Sequence, residues 1–253
     1  MRISGPAVHQ ISHVLRLRSG QRVVVLDDSG REYTVKLVRR GQKEIGGRIV
    51  AQAQAMGEPR TRITLYQAVL KGERFEWVLQ KGSELGIAAF VPLLCARNVV
   101  RDPAAVAKKL PRWQTIIREA AEQSHRGRLP RLQTPLDFAA ACRQAQAMGG
   151  LSLLAWEEET ALDLKQVLHA RSPAAPGLAG DDSPAIANIQ LFIGPEGGLT
   201  AQEAALATAQ DIQPITLGPR ILRAETAGLV AAAALFYELG DLSRASQVAG
   251  HDR

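Results

Sequence analysis

Cysteine is almost missing from this sequence. Two occur in 253 residues, Cys95 and Cys142, far apart and with no histidine at ligand spacing. That excludes a disulfide framework and a zinc site, and it points to a reducing cytosol. An apolar signal core is missing too, because Arg2, His9 and His13 interrupt the first residues. Long hydrophobic runs are also lacking. The longest, Ala227 to Tyr237, falls well short of the ~20 residues that cross a bilayer. A cytoplasmic protein without a membrane partner is expected. Neither G-x-G-x-x-G nor a Walker A loop is present, which counts against nicotinamide-dependent oxidoreductases and P-loop enzymes. No internal repeat and no metal motif is evident.

What is present is a chain able to bury a core, with 46% hydrophobic residues, and a moderate basic excess of 31 Lys+Arg over 25 Asp+Glu. Such an excess fits a polyanionic partner without requiring one. Arginine clusters locally, as Arg16, Arg18 and Arg22 near the start and as Arg112, Arg118, Arg126, Arg128 and Arg131 in mid-chain. Its planar fork suits phosphate oxygens better than the point charge of lysine, although any one cluster could equally be a solvated basic face.

The chain changes rhythm near Gly57–Arg60, which reads as a linker. Before it, Arg22–Leu26 and Glu32–Val38 flank Asp27-Asp28-Ser29-Gly30, a hairpin pattern, and another strand is expected around Arg48–Ala53. After it, strands alternate with helices. Strand Ile63–Val69 is followed by Phe75, Val78, Leu79, Gly82 and Leu85 at helical spacing, with Gly86 at the stop, and then by strand Ile87–Leu94. This βαβ unit predicts a parallel sheet. A basic helix follows with Trp113, Ile116, Ile117, Ala120 and Ala121 on one face, and Pro111 is expected to break or kink its first part. Next come strand Leu151–Trp156, helix Leu162–His169, a flexible loop over Arg171–Pro184, strand Asn188–Ile193, a helix after Thr200, strand Pro214–Leu217, and a last helix from about Glu225 to Leu239.

Two loops stand out. In Ile193-Gly194-Pro195-Glu196-Gly197-Gly198 a buried strand runs into a glycine-rich turn, and Thr200 with Glu203 forms a capping-box pattern that starts the next helix. Glycines after a parallel strand let the backbone approach a ligand, and ligands bind beyond the carboxyl ends of such strands. In Leu217-Gly218-Pro219-Arg220-Ile221-Leu222-Arg223-Ala224-Glu225-Thr226, Arg223 and Glu225 stand at a helix entrance, where unpaired backbone N–H groups can bind ligand atoms. Taken singly, each loop also reads as an ordinary turn, or as a cap with a salt bridge. Two on successive strand ends make a site more probable.

These two blocks resemble the RsmE family of 16S rRNA (uracil-N3)-methyltransferases. Val14-Leu15-Arg16-Leu17 looks like the start of that family's PUA-like barrel, Gln80–Gly86 like its first methyltransferase helix, and Arg112-Trp113 with Glu119–Ser124 like its RNA-side helix. The five blocks lie in order over nearly the whole chain. The resemblance implies an α/β fold, with a PUA-like β-barrel RNA-binding domain over residues 1–57 and a SPOUT trefoil-knotted methyltransferase domain over residues 61–245. It implies S-adenosylmethionine bound in the knot, largely through main-chain groups. Carried over, the cofactor loops supply Ile193, Gly194, Glu196, Gly197 and Gly198, then Leu217, Gly218, Ile221, Leu222 and Arg223. The strand end at Leu154–Glu157 is a third candidate, with Leu154 as its contact. A homodimer with the site completed across the subunit boundary is implied, acting on 16S rRNA within the small ribosomal subunit. The chain departs from the family in three places: an additional segment usually precedes the part matching Ile3, His125 stands where a small residue is usual, and Pro111 is not expected. Translation from an upstream start is the expectation, and a native protein whose mass places Met1 at its terminus would refute it.

Methylating uracil N3 requires removal of an imide proton from a base that is unpaired or flipped. Arg223 is expected to stabilise the developing anion, and Glu225 to assist proton removal or to orient Arg223. Arg126 and Arg128 from the basic helix, with Arg16, Arg18 and Arg22 from the barrel, are the expected RNA phosphate contacts. Two other readings stay open, another rRNA or tRNA target and a non-catalytic RNA-binding protein. The intact glycine loop counts against the latter.

Overall fold

The alternation expected between Gln21 and Val50 forms an antiparallel sheet. In the computed structural model, which describes residues 1–41, 43–171 and 187–243, this part of the chain contains β1 (Arg2–Ser4), α1 (Pro6–His9), a π-helical turn (Gln10–Val14), β2 (Arg22–Leu26), β3 (Arg31–Arg40) and β4 (Glu44–Gln54). The strand order is β1-β4-β3-β2, a curled sheet in which Val23 faces Val35 and Val25 faces Tyr33. Ile3, Val8, Ile11, Leu37 and Ile45 fill its concave side. The hairpin turn uses left-handed backbone at Asp28 (φ 67°) and Gly30 (φ 85°), where an Asp and a glycine are the residues that tolerate it.

This first unit comprises Met1–Glu58 together with His125–Arg128. The second segment joins through main-chain contact, as Gly30 N–H donates to the Gly127 carbonyl at 3.0 Å. A side chain on Gly127 would collide with Ala55.

The second unit, Pro59–Ser124 with Leu129–Arg253, holds the alternating elements. They are β5 (Arg62–Ala68), α2 (Arg74–Leu85), β6 (Ala89–Leu94), α3 (Pro103–Ala107), α4 (Leu110–Gln123), β7 (Arg131–Leu132), β8 (Leu136–Asp137), α5 (Phe138–Met148), β9 (Leu151–Ala155), α6 (Leu164–Arg171), β10 (Asn188–Ile193), α7 (Ala201–Thr208), β11 (Gln213–Ile215) and α8 (Ala224–Glu238). The parallel sheet runs β11-β9-β10-β5-β6-β7, with β8 also on β6. Both faces are covered, and the strands show why. Leu65, Leu153 and Leu191 face α2, α4, α6 and α8, while Tyr66, Leu154 and Phe192 face α5 and α7. Tyr66 and Phe192 stack at 4.3 Å. Gly86 ends α2 in the left-handed conformation, and Gly82 lets α2 close on the Phe90 ring, 2.8 Å from where a Cβ would stand. Pro111 sits in the first turn of α4. There the missing N–H costs nothing, so it opens that helix instead of kinking it. The loop expected after Arg171 lies outside the described residues.

Trp156 N–H donates to the Ile215 carbonyl, while Thr216 N–H donates to the Leu162 carbonyl and Thr216 bridges Asp163 in parallel. Successive residues of an extended strand bond to opposite edges. The segment Trp156–Asp163 therefore crosses from one edge of β11 to the other, and the chain continuing to α8 passes through it. This is the threading that the knotted fold requires. Among the described residues, no helix is long and apolar enough to cross a membrane.

Candidate functional site

The carboxyl ends of β9, β10 and β5 are neighbours in the sheet, and the expected glycine loop leaves from the middle one. Its geometry is fixed from several sides. Thr200 caps α7 by accepting from Glu203 N–H at 3.1 Å, and the Glu203 carboxylate accepts in return from Thr200 N–H at 2.9 Å. The same carboxylate reaches Ala96 N–H at 2.8 Å, so a capping group also ties the loop after β6 to α7. Arg97 donates to the carbonyls of Gly197 and Leu199 at 3.1 and 3.2 Å. Gly198 has φ 70°, and any Cβ there would strike the Glu157 carboxylate. The turn thus needs glycine for its backbone, and Glu157, an exposed side chain able to shift aside, brings the end of β9 to the same place.

The second loop meets the first through a residue the sequence reading missed. Arg74, at the start of α2, lies with Nη1 3.4 Å from Glu196 Oε1 and with Nε 3.8 Å from Glu225 Oε1. Lys71 N–H adds a 3.1 Å hydrogen bond to Glu196. One guanidinium therefore holds an acid from each loop. The available signal was position: Arg74 follows the end of β5, the strand beside β10. Gly228 supplies the close packing of α8 on this sheet, since a Cβ there would stand 3.0 Å from Gln67 Oε1 and 3.3 Å from Ile193.

Arg223 is the residue before α8, and its side chain makes no cap hydrogen bond. It is exposed, and no described residue pairs with its guanidinium. The salt bridge that Arg223 and Glu225 could have made is absent, because Glu225 turns to Arg74 instead. Glu225 therefore does not orient Arg223. Its other oxygen, Oε2, is buried without a hydrogen-bond partner, as are Gln67 Oε1 and Trp156 Nε1. Unsatisfied buried polar atoms are costly and call for a ligand or water. The amides of Ile221, Leu222, Arg223 and Ala224 have no acceptor among the described residues. Ile221 is 88% exposed, and a side chain on Gly218 would meet nothing within 4 Å. Free main-chain donors, an uncovered apolar side chain and open space at a glycine fit a nucleoside-bearing cofactor gripped by backbone. Leu217 and Leu222 are half-buried beside them.

Two expected contacts fail on geometry. Leu154 is wholly buried, its side chain in the core with Phe192, and its backbone lies between β10 and β11. It supports the site without reaching a ligand. Arg126 is 4% exposed, and its Nη2 and Nε bond the Glu58 carboxylate at 2.9 and 3.2 Å. A charge already matched and desolvated is not available to phosphate. It instead anchors His125–Arg128 in the first unit, where His125 takes a left-handed φ of 55° that a small residue would adopt more easily. Arg16, Arg18, Arg22 and Arg128 are exposed. Among the described residues, no group of His, Cys, Asp and Glu could hold a metal ion.

Comparison with known proteins agrees with this geometry. A family model described as an RNA methyltransferase domain matches residues 57–236. The chain is 34% identical to the ribosomal RNA small subunit methyltransferase E of Bacillus subtilis, over 93% of this chain and 89% of that protein. It is 36% identical to the protein of the same name from a Synechocystis species, over 89% and 69%. The crystal structure of a ribosomal RNA small subunit methyltransferase E from Neisseria gonorrhoeae bound to S-adenosyl methionine matches with a TM-score of 0.79 at 29% identity, covering 94% of this chain and 91% of that one. With its parallel sheet, threaded crossing and backbone-lined loops, the chain belongs to the RNA methyltransferase family, among the ribosomal RNA small subunit methyltransferase E proteins.

Proposed function

We propose that this protein methylates N3 of a uridine in 16S ribosomal RNA, using S-adenosylmethionine, in the cytoplasm and on the small ribosomal subunit. The observation that carries this reading is the meeting of two strand-end loops on Arg74, in a chain of this family. When bound, S-adenosylmethionine supplies an electrophilic methyl group. The amides of Ile221 to Ala224 and the backbone from Ile193 to Gly198 are suited to hold it. Leu217, Gly218 and Leu222 flank the adenosine side, and Glu196 keeps the glycine loop in place through Arg74.

Uracil N3 must lose its proton as the methyl group arrives. Glu225 Oε2, buried and without a partner, is the acceptor for that proton. The free guanidinium of Arg223 offsets the negative charge left on the base, a preorganised electrostatic role. Arg16, Arg18 and Arg22 bind RNA phosphates from the first unit. A homodimer is supported by apolar side chains left exposed on α8, with Val230 and Tyr237 44% and 75% accessible at seven-residue spacing. Apolar groups on one flank favour burial against a second copy.

The test is nucleoside mass spectrometry of 16S rRNA from a strain lacking the gene. Loss of 3-methyluridine, restored by the intact gene and not by an Arg223→Ala version, is expected. An unchanged 3-methyluridine content would defeat the reading.

A further inference from the structure

The concave face of the first unit changes character along its length. Positions 31, 33, 35 and 37 of β3 share that face. Val35 and Leu37 are buried at one end. At the other end Arg31 lies opposite Gln54, and Tyr33 lies opposite Gln52. A closed core would place apolar residues at those inward positions. Instead Arg31, Gln52 and Gln54 line a cavity of about 450 Å³ together with Ala53, Ala55, Glu58, Arg128 and the Ser29-Gly30 turn, all within this unit.

The charges do not cancel. Glu58 is already matched by Arg126, while Arg31 and Arg128 have no acidic partner among the described residues. The side-chain amides of Gln52 and Gln54 make no hydrogen bond among the described residues either. Arg128 lies across Gly30, with Nε 3.0 Å from where a Cβ would stand. Its own N–H is held by Glu58 at 3.1 Å. The result is a planar cation lying on the turn, a second cation lining the same cavity, and two amide groups whose donor and acceptor atoms have no partner among the described residues.

We propose that this cavity takes one unpaired nucleotide of the substrate RNA. Arg31 binds its phosphate, the Arg128 guanidinium stacks on its base, and Gln52 and Gln54 read the base edge. The volume falls within the usual range for small-ligand sites, about 300 to 1,000 Å³. Single-stranded RNA is recognised through stacking on aromatic or guanidinium planes with hydrogen bonds to base edges, whereas duplex RNA hides those edges. The inference rests on the RNA methyltransferase reading and adds an RNA contact carried by the first unit, whereas the cofactor loops belong to the second.

The test uses the full chain and a fluorescently labelled ten-nucleotide single-stranded RNA, in uridine, cytidine and adenosine homopolymer forms, followed by anisotropy. Calorimetric titration with S-adenosylmethionine runs in parallel. Arg128→Gln is expected to weaken single-strand binding about tenfold, as loss of a charge-assisted contact does. The double variant Gln52→Ala with Gln54→Ala, whose side chains are exposed and leave the fold alone, should erase the preference among homopolymers. S-adenosylmethionine affinity should stay unchanged in both. Wild-type RNA binding by both variants would overturn the proposal, and so would a duplex of the same length competing as well as the single strand. Failure of the wild-type chain to bind S-adenosylmethionine would instead strike the functional reading, so the two failures are separable.

Discussion

Glu196 and Glu225 stand 29 positions apart in sequence, one on the glycine loop and one in the first turn of α8, and share the guanidinium of Arg74. Arg74→Ala leaves two carboxylates to repel one another where the loops should close. S-adenosylmethionine affinity is expected to fall about tenfold or more by calorimetry. Lysine at position 74 should restore only part of it, because a point charge cannot serve two acids in fixed directions as a guanidinium does. Wild-type affinity in Arg74→Ala would show that the loops do not depend on this link.

Gly198 offers a steric test of the same site. Substitution by alanine forces a side chain into left-handed backbone and against Glu157. Cofactor binding should be lost, with a stability cost of about 1 to 2 kcal/mol for the strained residue. Adding Glu157→Ala removes the contact and leaves the backbone strain, so binding should stay lost.

Arg223→Ala separates chemistry from cofactor binding. Its guanidinium supports nothing in the fold, so S-adenosylmethionine affinity should hold while turnover on small-subunit RNA falls about a hundredfold or more, the scale of losing one preorganised charge stabiliser. Undiminished turnover would remove Arg223 from the reaction.

Arg126 predicts the opposite pattern. Arg126→Ala leaves Glu58 without its partner in the first unit, and a loss of about 3 kcal/mol is expected in chemical unfolding of that unit. The Arg126→Ala protein should keep its cofactor affinity.

The cysteines answer to pH. Burial pushes the Cys142 thiol up to about 12, and it raises Cys95 as well. Since the folded values lie above the unfolded ones, the unfolded chain loses these protons first. The stability they confer is complete below about pH 8.5, and it drains away as pH rises toward 12. Iodoacetamide at pH 8 should label neither residue until the protein is unfolded. Rapid labelling of the native protein would show that these thiols are not shielded.

Much of this fold could be read from local pattern. Strand Asn188–Ile193, the Gly86 stop and the Thr200–Glu203 cap depend on residues at most a few positions apart, and each is found where expected. Helix α5 escaped notice although Phe138, Ala141, Cys142 and Ala145 keep helical spacing, because two alanines and a cysteine beside one phenylalanine give a weak apolar stripe. Arg74 and Arg97 were illegible for another reason. Their partners lie about a hundred positions or more away, and nothing in a local window marks such a pair. Arg126 shows the matching error: arginine in a basic stretch reads as a surface charge until an acid from the linker is found to bury it.

The loop Trp156–Asp163 encircles the chain at Ile215–Thr216, immediately before the residues proposed to grip the cofactor. Assembly must then follow an order: the ring closes or stays slack while the tail that becomes α8 is drawn through, and only afterwards do the last amides take up their places. Unravelling of this unit from the carboxyl terminus is complete only once that tail has been drawn back out. An unfolding limited by withdrawal of the tail is the physical consequence of so awkward an entry.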